Sequence, residues 1–383
     1  MKALIALFPV REKRSNAYIM LGFPSNSVSN QPISLKSLLT TNTIKSAAPV
    51  RINCGGTWDI RSLALPYSKI FPSTVNIALA HYVTASLLPH QDGRVKVSSE
   101  GFLNEEYSLN SAPFDSPLGL FFAIATYFRF HGVHIKITTE TPPKSGLGGS
   151  GATAVAAIHA FSRVESLLGR GSLTRPEIAQ LAQAIEESIG TSLTGMQDQL
   201  AATYGGVNRW IWIHKPFAKN YKRIVLLGRK AHKKLEHHIA VAFTGISHES
   251  SAVNRELIKG FIKGLTREKW MEIHNLTNTM AGALTRFDWQ VAARALARET
   301  EIRYELVPQF LTEKAQELTL AAKEEGCGAR PAGAGAGGCI WAIGPSYNIS
   351  QLKARWSRIL DKSAGKLLNV SIDHRGVHSV DDG

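Results

Sequence analysis

Cysteine is scarce in this chain of 383 residues: Cys54, Cys327 and Cys339 are all there are, and none sits in a CxxC. Three thiols cannot all pair, so a disulfide scaffold is excluded, and they read as the reduced thiols of a cytoplasmic protein. No run of about 18 uncharged apolar residues occurs, which rules out a membrane-spanning helix. Acids are outnumbered, 30 against 44 Lys plus Arg, for a net charge of +14. Six of those basic residues and one acid fall within residues 1–45, leaving +9 for the rest. Internal repeats are missing as well. What is present is a hydrophobic fraction of 44% against 19% charged, too apolar for wholesale disorder, in a chain long enough for about two domains. The positive balance suits an acidic partner, such as nucleic acid, nucleotides or phosphorylated metabolites, or else a basic surface with no specific ligand.

Residues 1–45 are rich in Ser, Asn and Thr and show no sustained period. Lys2 followed by ALIALFPV resembles a signal peptide, but the apolar run is short, basic residues from Arg11 to Arg14 follow at once, and no small-residue cleavage site is present. The segment is expected to be a loosely ordered extension. From residue 46 short β-rich runs alternate with Ala- and Leu-rich stretches. VHIKITTE at 133–140 alternates apolar and polar, as a strand with one face on a core does. Helices are expected over 152–169, over 176–190 with Thr174 as N-cap and Pro176 in the first turn, and over 311–326 closed by Gly326. CIWAI at 339–343 reads as a strand. The order is mixed, without a regular βαβ repeat, so the fold class is α+β.

The most informative stretch is Gly146-Leu147-Gly148-Gly149-Ser150-Gly151. Its glycines let the backbone turn sharply and approach a ligand, and the helix that follows points unpaired N–H groups and a positive dipole end at the same place. That is an anion site, suited to phosphate. Three known templates compete for it. A Walker A loop needs Gly-Lys-Ser/Thr, which is missing, and the G-x-S-x-G elbow fails because Ala152 stands where its last glycine belongs. The dinucleotide pattern G-x-G-x-x-G does match, but TPPKS at 141–145 separates strand from glycines and no acid ends a strand about 20 residues on.

Two further segments change the balance: APVRINCGGTWD at 48–59 and GAGAGG at 333–338. Taken in order with the central glycine loop, they resemble the three signatures of the GHMP kinase superfamily, across roughly residues 46–383. GMQDQ at 195–199 followed by AATYGG at 201–206, together with GGTWD at 55–59, is similar to the heptose 7-phosphate kinase and fucokinase branch. The chain departs from the pattern at Gly149 and Gly151, where many members have serine or alanine, at Ala336, which replaces a glycine, and at Arg330, often a lysine.

The resemblance implies an α+β, two-domain GHMP kinase fold, with an N-terminal domain like domain 2 of ribosomal protein S5 over 46–210 and a ferredoxin-like domain over 211–383. It implies ATP and Mg²⁺. Lys144, Ser145, Gly146, Leu147, Gly148, Gly149, Ser150, Gly151 and Ala152 would cradle the nucleotide, and Ser150 would help hold the metal. The family keeps a Glu for magnesium on the helix ending near Gly190. Glu186 and Glu187 both qualify, since neighbours on a helix diverge by about 100°, and Glu186 is preferred because Ile185 fits the branch pattern. Asp198 is the expected general base and Arg51 its partner, while Asp59, Gly56, Gln197, Gly333 and Gly335 would form the acceptor site.

The expected partners are ATP and a small sugar or sugar phosphate, with no membrane and no nucleic acid; a homodimer is left open. Two other readings remain, an NAD-dependent oxidoreductase and a basic nucleic-acid-binding protein on a dead kinase fold. TGISHESS at 244–251 resembles a TGxxRxS segment of the branch, with His248 in place of Arg. His232, His237 and His238 lack metal spacing, and Trp210 and Trp212 alternate as core residues of a strand do.

Overall fold

A computed structural model describes residues 31–190, 195–213, 220–247, 250–361 and 364–380. Ile33–Gly383 form one compact unit built on two main sheets and a two-stranded pair. The larger sheet takes β1 (Ile44–Cys54), β2 (Ser73–Pro89), β3 (Arg94–Ser99), β4 (Glu105–Ser108), β5 (Val133–Thr139), β6 (Val207–Trp212) and β7 (Tyr221–Leu227). The smaller takes β8 (Ile239–Phe243), β9 (Gly328–Pro331), β10 (Cys339–Ile343) and β11 (Lys366–Leu368), after which β12 (His378–Ser379) returns to the edge of the larger.

The 17-residue strand β2 organises the first sheet. It pairs antiparallel with β1 along its length, with β6 at its start and with β5 at its end. The β1–β2 register slips between Pro49 and Val50, where proline has no N–H to give the ladder. β3 runs parallel to β5; the remaining pairs in this sheet are antiparallel. Across this sheet lies α2 (Gly149–Leu167), which follows α1 (Gly119–Phe128) in the chain. Ala154, Val155, Ala157, Ile158, Phe161 and Val164 of α2 have no exposed surface, so the helix is apolar almost all round and sits inside the molecule. Then come α3 (Arg175–Ser188) and α4 (Gln197–Tyr204), both packed on α2. α3 begins as expected at Thr174, whose N–H and hydroxyl both donate to Glu177.

Strands β8, β9 and β10 of the second sheet are buried on both faces, while the edge strand β11 is partly exposed. Ile239 and Val241 of β8 join the large central core while Ala240 and Ala242 face a second one, the period-2 alternation of a strand. After α4 and a short helix over Arg229–Glu236 come α5 (Ser250–Ile262), α6 (Arg267–Arg286), α7 (Trp289–Leu306), α8 (Glu313–Glu324) and α9 (Ser346–Leu360). The cores divide them: residues of α6 and α7 pack in the first, residues of α8 and α9 in the second. Trp341 of β10 reaches across to donate its indole N–H to the Asn53 carbonyl of β1 at 3.0 Å, tying the two sheets together beside the motif segments.

Of the expected extension, residues 1–30 lie outside the described residues. Residues 33–45 do not behave as a loose segment: Ile33–Ser34 pairs parallel with Phe130–His131, and Leu35 and Leu39 are buried in the core. The boundary expected at 45/46 therefore falls inside β1, and the one at 210/211 inside β6. Both places lacked a turn signal, and strand continuity across them follows from burial of Ile44, Trp210 and Trp212. No helix among the described residues is long and apolar enough to cross a membrane.

Candidate active site

Arg51 is the hub. Only 5% exposed, it leaves β1 with its planar fork fully engaged. Nε donates to Asp198 Oδ1 at 2.7 Å and Nη2 to Oδ2 at 2.9 Å, while Nη1 donates to the carbonyls of Gly146 and Ala332, each at 2.8 Å. One side chain thus joins the first motif strand, the central glycine loop, the third glycine segment and the first turn of α4. No ammonium group could reproduce four planar contacts of this kind.

The central loop needs its glycines for close approach. Gly148, the N-cap of α2, has φ +76°, and a β-carbon there would lie 3.1–3.2 Å from Arg51 and Asp198. At Gly151 a β-carbon would come 2.8 Å from that of Asp198, so the first turns of α2 and α4 touch through it. Gly149 by contrast faces open space, and α2 carries no side-chain cap. The helix end is left available to an anion. Lys144 is exposed at φ +53°, Ser145 is buried with its carbonyl accepting from Cys339 N–H, and the Leu147 and Ala152 side chains lie in the core, so these last two offer the loop only backbone.

Ser150 donates to Glu186 Oε1 at 2.8 Å, and Gln199 Nε2 donates to Glu186 Oε2 at 2.6 Å. Glu186 is buried at 4% exposure, whereas Glu187 on the next position points to solvent and bonds Gln183. Burial pushes the Glu186 carboxyl upward, its hydrogen bond from Ser150 opposes this, and the charge of Asp198 adds to the rise.

Asp59 is held by Gln197, whose backbone N–H donates to Oδ2 at 3.1 Å and whose side-chain amide donates to Oδ1 at 2.9 Å. The Gln197 oxygen in turn accepts from Asn53 at 2.9 Å. Gln197 was expected among the acceptor-binding residues. Its amide is buried and spent on protein partners, so it positions Asp59 instead. Gly195 leaves room for this carboxylate, since any β-carbon there would collide with it.

Burial, with the charge of Asp198 next, lifts the Asp59 carboxyl from 3.8 to about 7. Between those values the folded chain holds a proton that the unfolded chain has lost, so this group's contribution to stability falls as pH rises from about 4 to 7 and is level above. Unfolding of wild type and Asp59→Asn, followed by denaturant titration across that range, should diverge by about 3 kcal/mol in order of magnitude, with wild type losing ground as pH rises. Parallel curves would remove the assignment.

Gly333 and Gly335 are buried behind the central loop. A β-carbon on Gly333 would press on the Gly146 carbonyl at 2.7 Å, and Gly335 packs on Phe310. Both were expected to shape the floor of the acceptor and phosphate site, and Gly333 lies directly against the central loop. Ala336 adopts φ +57°, a left-handed position that costs a β-carbon about 1 kcal/mol and that glycine fills freely. Motif reading had no signal for several neighbours of the site. Arg330 and Glu299 form a buried pair at 2.8 Å, and Glu299 also accepts from Gly55 N–H at 3.2 Å. Trp58, Trp270 and Phe261 pack edge-on beside the Gly55–Gly56 turn. His248 lies outside the described residues. Trp210 and Trp212 are core, as expected.

Residues 118–206, which include the central loop, α2, α3 and α4, match the family GHMP kinases N terminal domain. Fold, motif segments and this match together make the chain similar to kinases of the GHMP class. Within that class the chain is 27% identical over 359 residues to D-glycero-alpha-D-manno-heptose 7-phosphate kinase of Campylobacter jejuni, covering 88% of this chain and 98% of that one. It is 26% identical over 303 residues to mevalonate kinase of Thermococcus onnurineus, 70% of this chain and 81% of the relative. Among solved structures, a D-glycero-D-manno-heptose 1-phosphate kinase from Bacteroides thetaiotaomicron superposes with a TM-score of 0.65 at 21% identity, over 89% of this chain and 99% of that one.

Proposed function

We propose that this kinase is cytoplasmic and transfers the γ-phosphoryl group of ATP, with Mg²⁺, to a hydroxyl of a sugar phosphate, in the first instance the anomeric hydroxyl of a heptose 7-phosphate. The observation that carries it is the bidentate Arg51–Asp198 pair set against the uncapped start of α2, where Ser150 and Glu186 are hydrogen-bonded. The similarity to a heptose 7-phosphate kinase over nearly its whole length supports the acceptor.

The residues fit a magnesium nucleotide. Three carboxylates, Asp59, Asp198 and Glu186, lie within electrostatic reach: burial first, and then the charge of Asp198, raises both Asp59 and Glu186, and Arg51 pairs with Asp198. A cation is the missing counter-charge. Among the described residues no cluster of three or more His, Cys, Asp or Glu forms a complete metal cage. Ser150 and Glu186 would supply two oxygens and leave the rest to phosphate and water, as magnesium prefers. When bound, the ion neutralises charge on the transferring phosphoryl group. The N-terminal amides of α2 hold the phosphates, and Asp198 accepts the proton of the acceptor hydroxyl. Arg51 fixes the angle of that carboxylate and lends positive charge where negative charge develops.

A screen of sugars and sugar phosphates with magnesium and ATP, scored by ADP release, tests the reading. Heptose 7-phosphate should turn over well above an acceptor-free control, and no acceptor doing so would end the proposal. In the same assay Glu186→Gln should raise the magnesium concentration for half-maximal rate at least tenfold in order of magnitude, while Glu187→Gln should leave it unchanged. Equal responses would take Glu186 away from the metal.

A further inference from the structure

Arg303 on α7 has no exposed surface, yet none of its three guanidinium nitrogens has a hydrogen-bond partner. It is stacked near two rings, 5.0 Å from the centroid of Phe310 and 5.7 Å from that of Trp270. Its tip lies beneath the Gly55–Gly56 turn: a β-carbon on Gly56 would be 2.6 Å from Nη1. Three residues further on, the same turn delivers Asp59 to the site.

A guanidinium stripped of water and left unpaired is among the least favourable things a protein interior can hold, and ring faces return only part of the loss. Neighbouring carboxylates act on it by charge alone and give it no hydrogen bond. Glu299 is committed to Arg330 and to the Gly55 N–H, and Asp59 to Gln197. Burial first, and then the charge of Arg330, lower the Arg303 pKa to about 9, so the group is still a cation at neutral pH. Further buried polar atoms without partners are the indole N–H groups of Trp270 and of Trp58, which packs on Trp270, and the hydroxyl of Thr57, next in the chain to Gly56. These orphans are a cation, two donors and a hydroxyl able to donate. The chemistry they lack is an oxyanion.

We propose that Arg303 sets acceptor specificity by receiving a phosphate monoester that the acceptor already carries, while the acceptor's reacting hydroxyl lies at Asp198. This deepens the kinase reading above and rests on it. Gly56 has no side chain to stand between turn and guanidinium, and both glycines occupy left-handed backbone, φ +91° at Gly55 and +70° at Gly56. Entry of the anion requires that turn to move off Nη1. The charge count is satisfied by the result: Arg330 stays with Glu299, and Arg303 gains the partner it lacks.

The test compares heptose 7-phosphate, the unphosphorylated heptose and mevalonate as acceptors for wild type, Arg303→Met and Arg303→Lys. In Arg303→Met the KM for the phosphorylated sugar should rise about 100-fold, with the KM for ATP within threefold. The preference for phosphorylated over plain sugar, as a ratio of kcat/KM, should fall by a similar factor, and Arg303→Lys should recover part of it. Independently of turnover, inorganic phosphate added to the ADP-saturated protein should raise the Tm of wild type and not that of Arg303→Met. If the methionine variant does not fold, the lysine variant and wild-type phosphate protection still decide. A preserved preference, equal phosphate protection of both proteins, or selective turnover of mevalonate, whose anion is a carboxylate, overturns the proposal. Wild type that phosphorylates only plain sugars defeats this inference alone. Wild type that releases no ADP with any acceptor defeats the kinase reading.

Discussion

Asp198→Asn is expected to bind ATP within about threefold of wild type and to lose about 10²- to 10⁴-fold in kcat, the range ordinarily supplied by a positioned general base. The asymmetry follows from where the side chain points. Nucleotide contacts in the proposed site come from the start of α2, whereas Asp198 approaches that helix through the gaps left by the absent side chains of Gly148 and Gly151. Asparagine keeps the shape but carries one acceptor oxygen in place of two, and it turns an NH₂ toward the Arg51 fork. The Nε and Nη2 bonds at 2.7 and 2.9 Å cannot both survive. Some stability goes with them, about 1–3 kcal/mol, the lower part being favoured because the Asp198 side chain is 27% exposed and partly rescued by water. Steady-state kinetics beside a nucleotide titration separate the two effects. A kcat within tenfold of wild type would remove Asp198 from proton transfer.

Legibility in the sequence tracked how local each cause was. The start of α2 follows from four closely spaced glycines and an alanine-rich run, and α3 from Thr174, Pro176 and Glu177, all within a few positions. Choosing Glu186 over Glu187 needed only helix geometry and the branch pattern, and burial separates the two side chains. Residues whose partners lie far away were silent. Glu299 meets Arg330 across 31 positions and the Gly55 turn across 244, and nothing local in the sequence pairs either residue with its partner. Arg303 was invisible for the same reason: on an amphipathic helix an arginine is normally a solvated one. For Gln197, sequence shows an amide next to Asp198 but not that this amide is hydrogen-bonded to Asn53 and Asp59.

Replacing Arg51 should cost most of all, since its one side chain bonds the central loop, the stretch leading into the third glycine segment and Asp198. Arg51→Met would leave the Gly146 and Ala332 carbonyls and the Asp198 carboxylate without their donor. Breaking a buried ion pair from one side costs about 3–5 kcal/mol, and the partial exposure of Asp198 places this site toward the lower end. Activity should fall by at least the factor seen for Asp198→Asn, because the carboxylate loses its aim and the transfer its nearby positive charge. Arg51→Lys separates geometry from charge: an ammonium keeps the charge but can hold only part of a four-contact fork, so stability should recover partially and kcat hardly at all. Combining Arg51→Met with Asp198→Asn should be far from additive, the double variant being little worse than the arginine single, because each substitution already removes the same pair. Denaturant unfolding and kcat measured on all four proteins of that cycle give the coupling directly. Full additivity would mean that the pair observed between β1 and α4 is not the unit on which phosphoryl transfer depends.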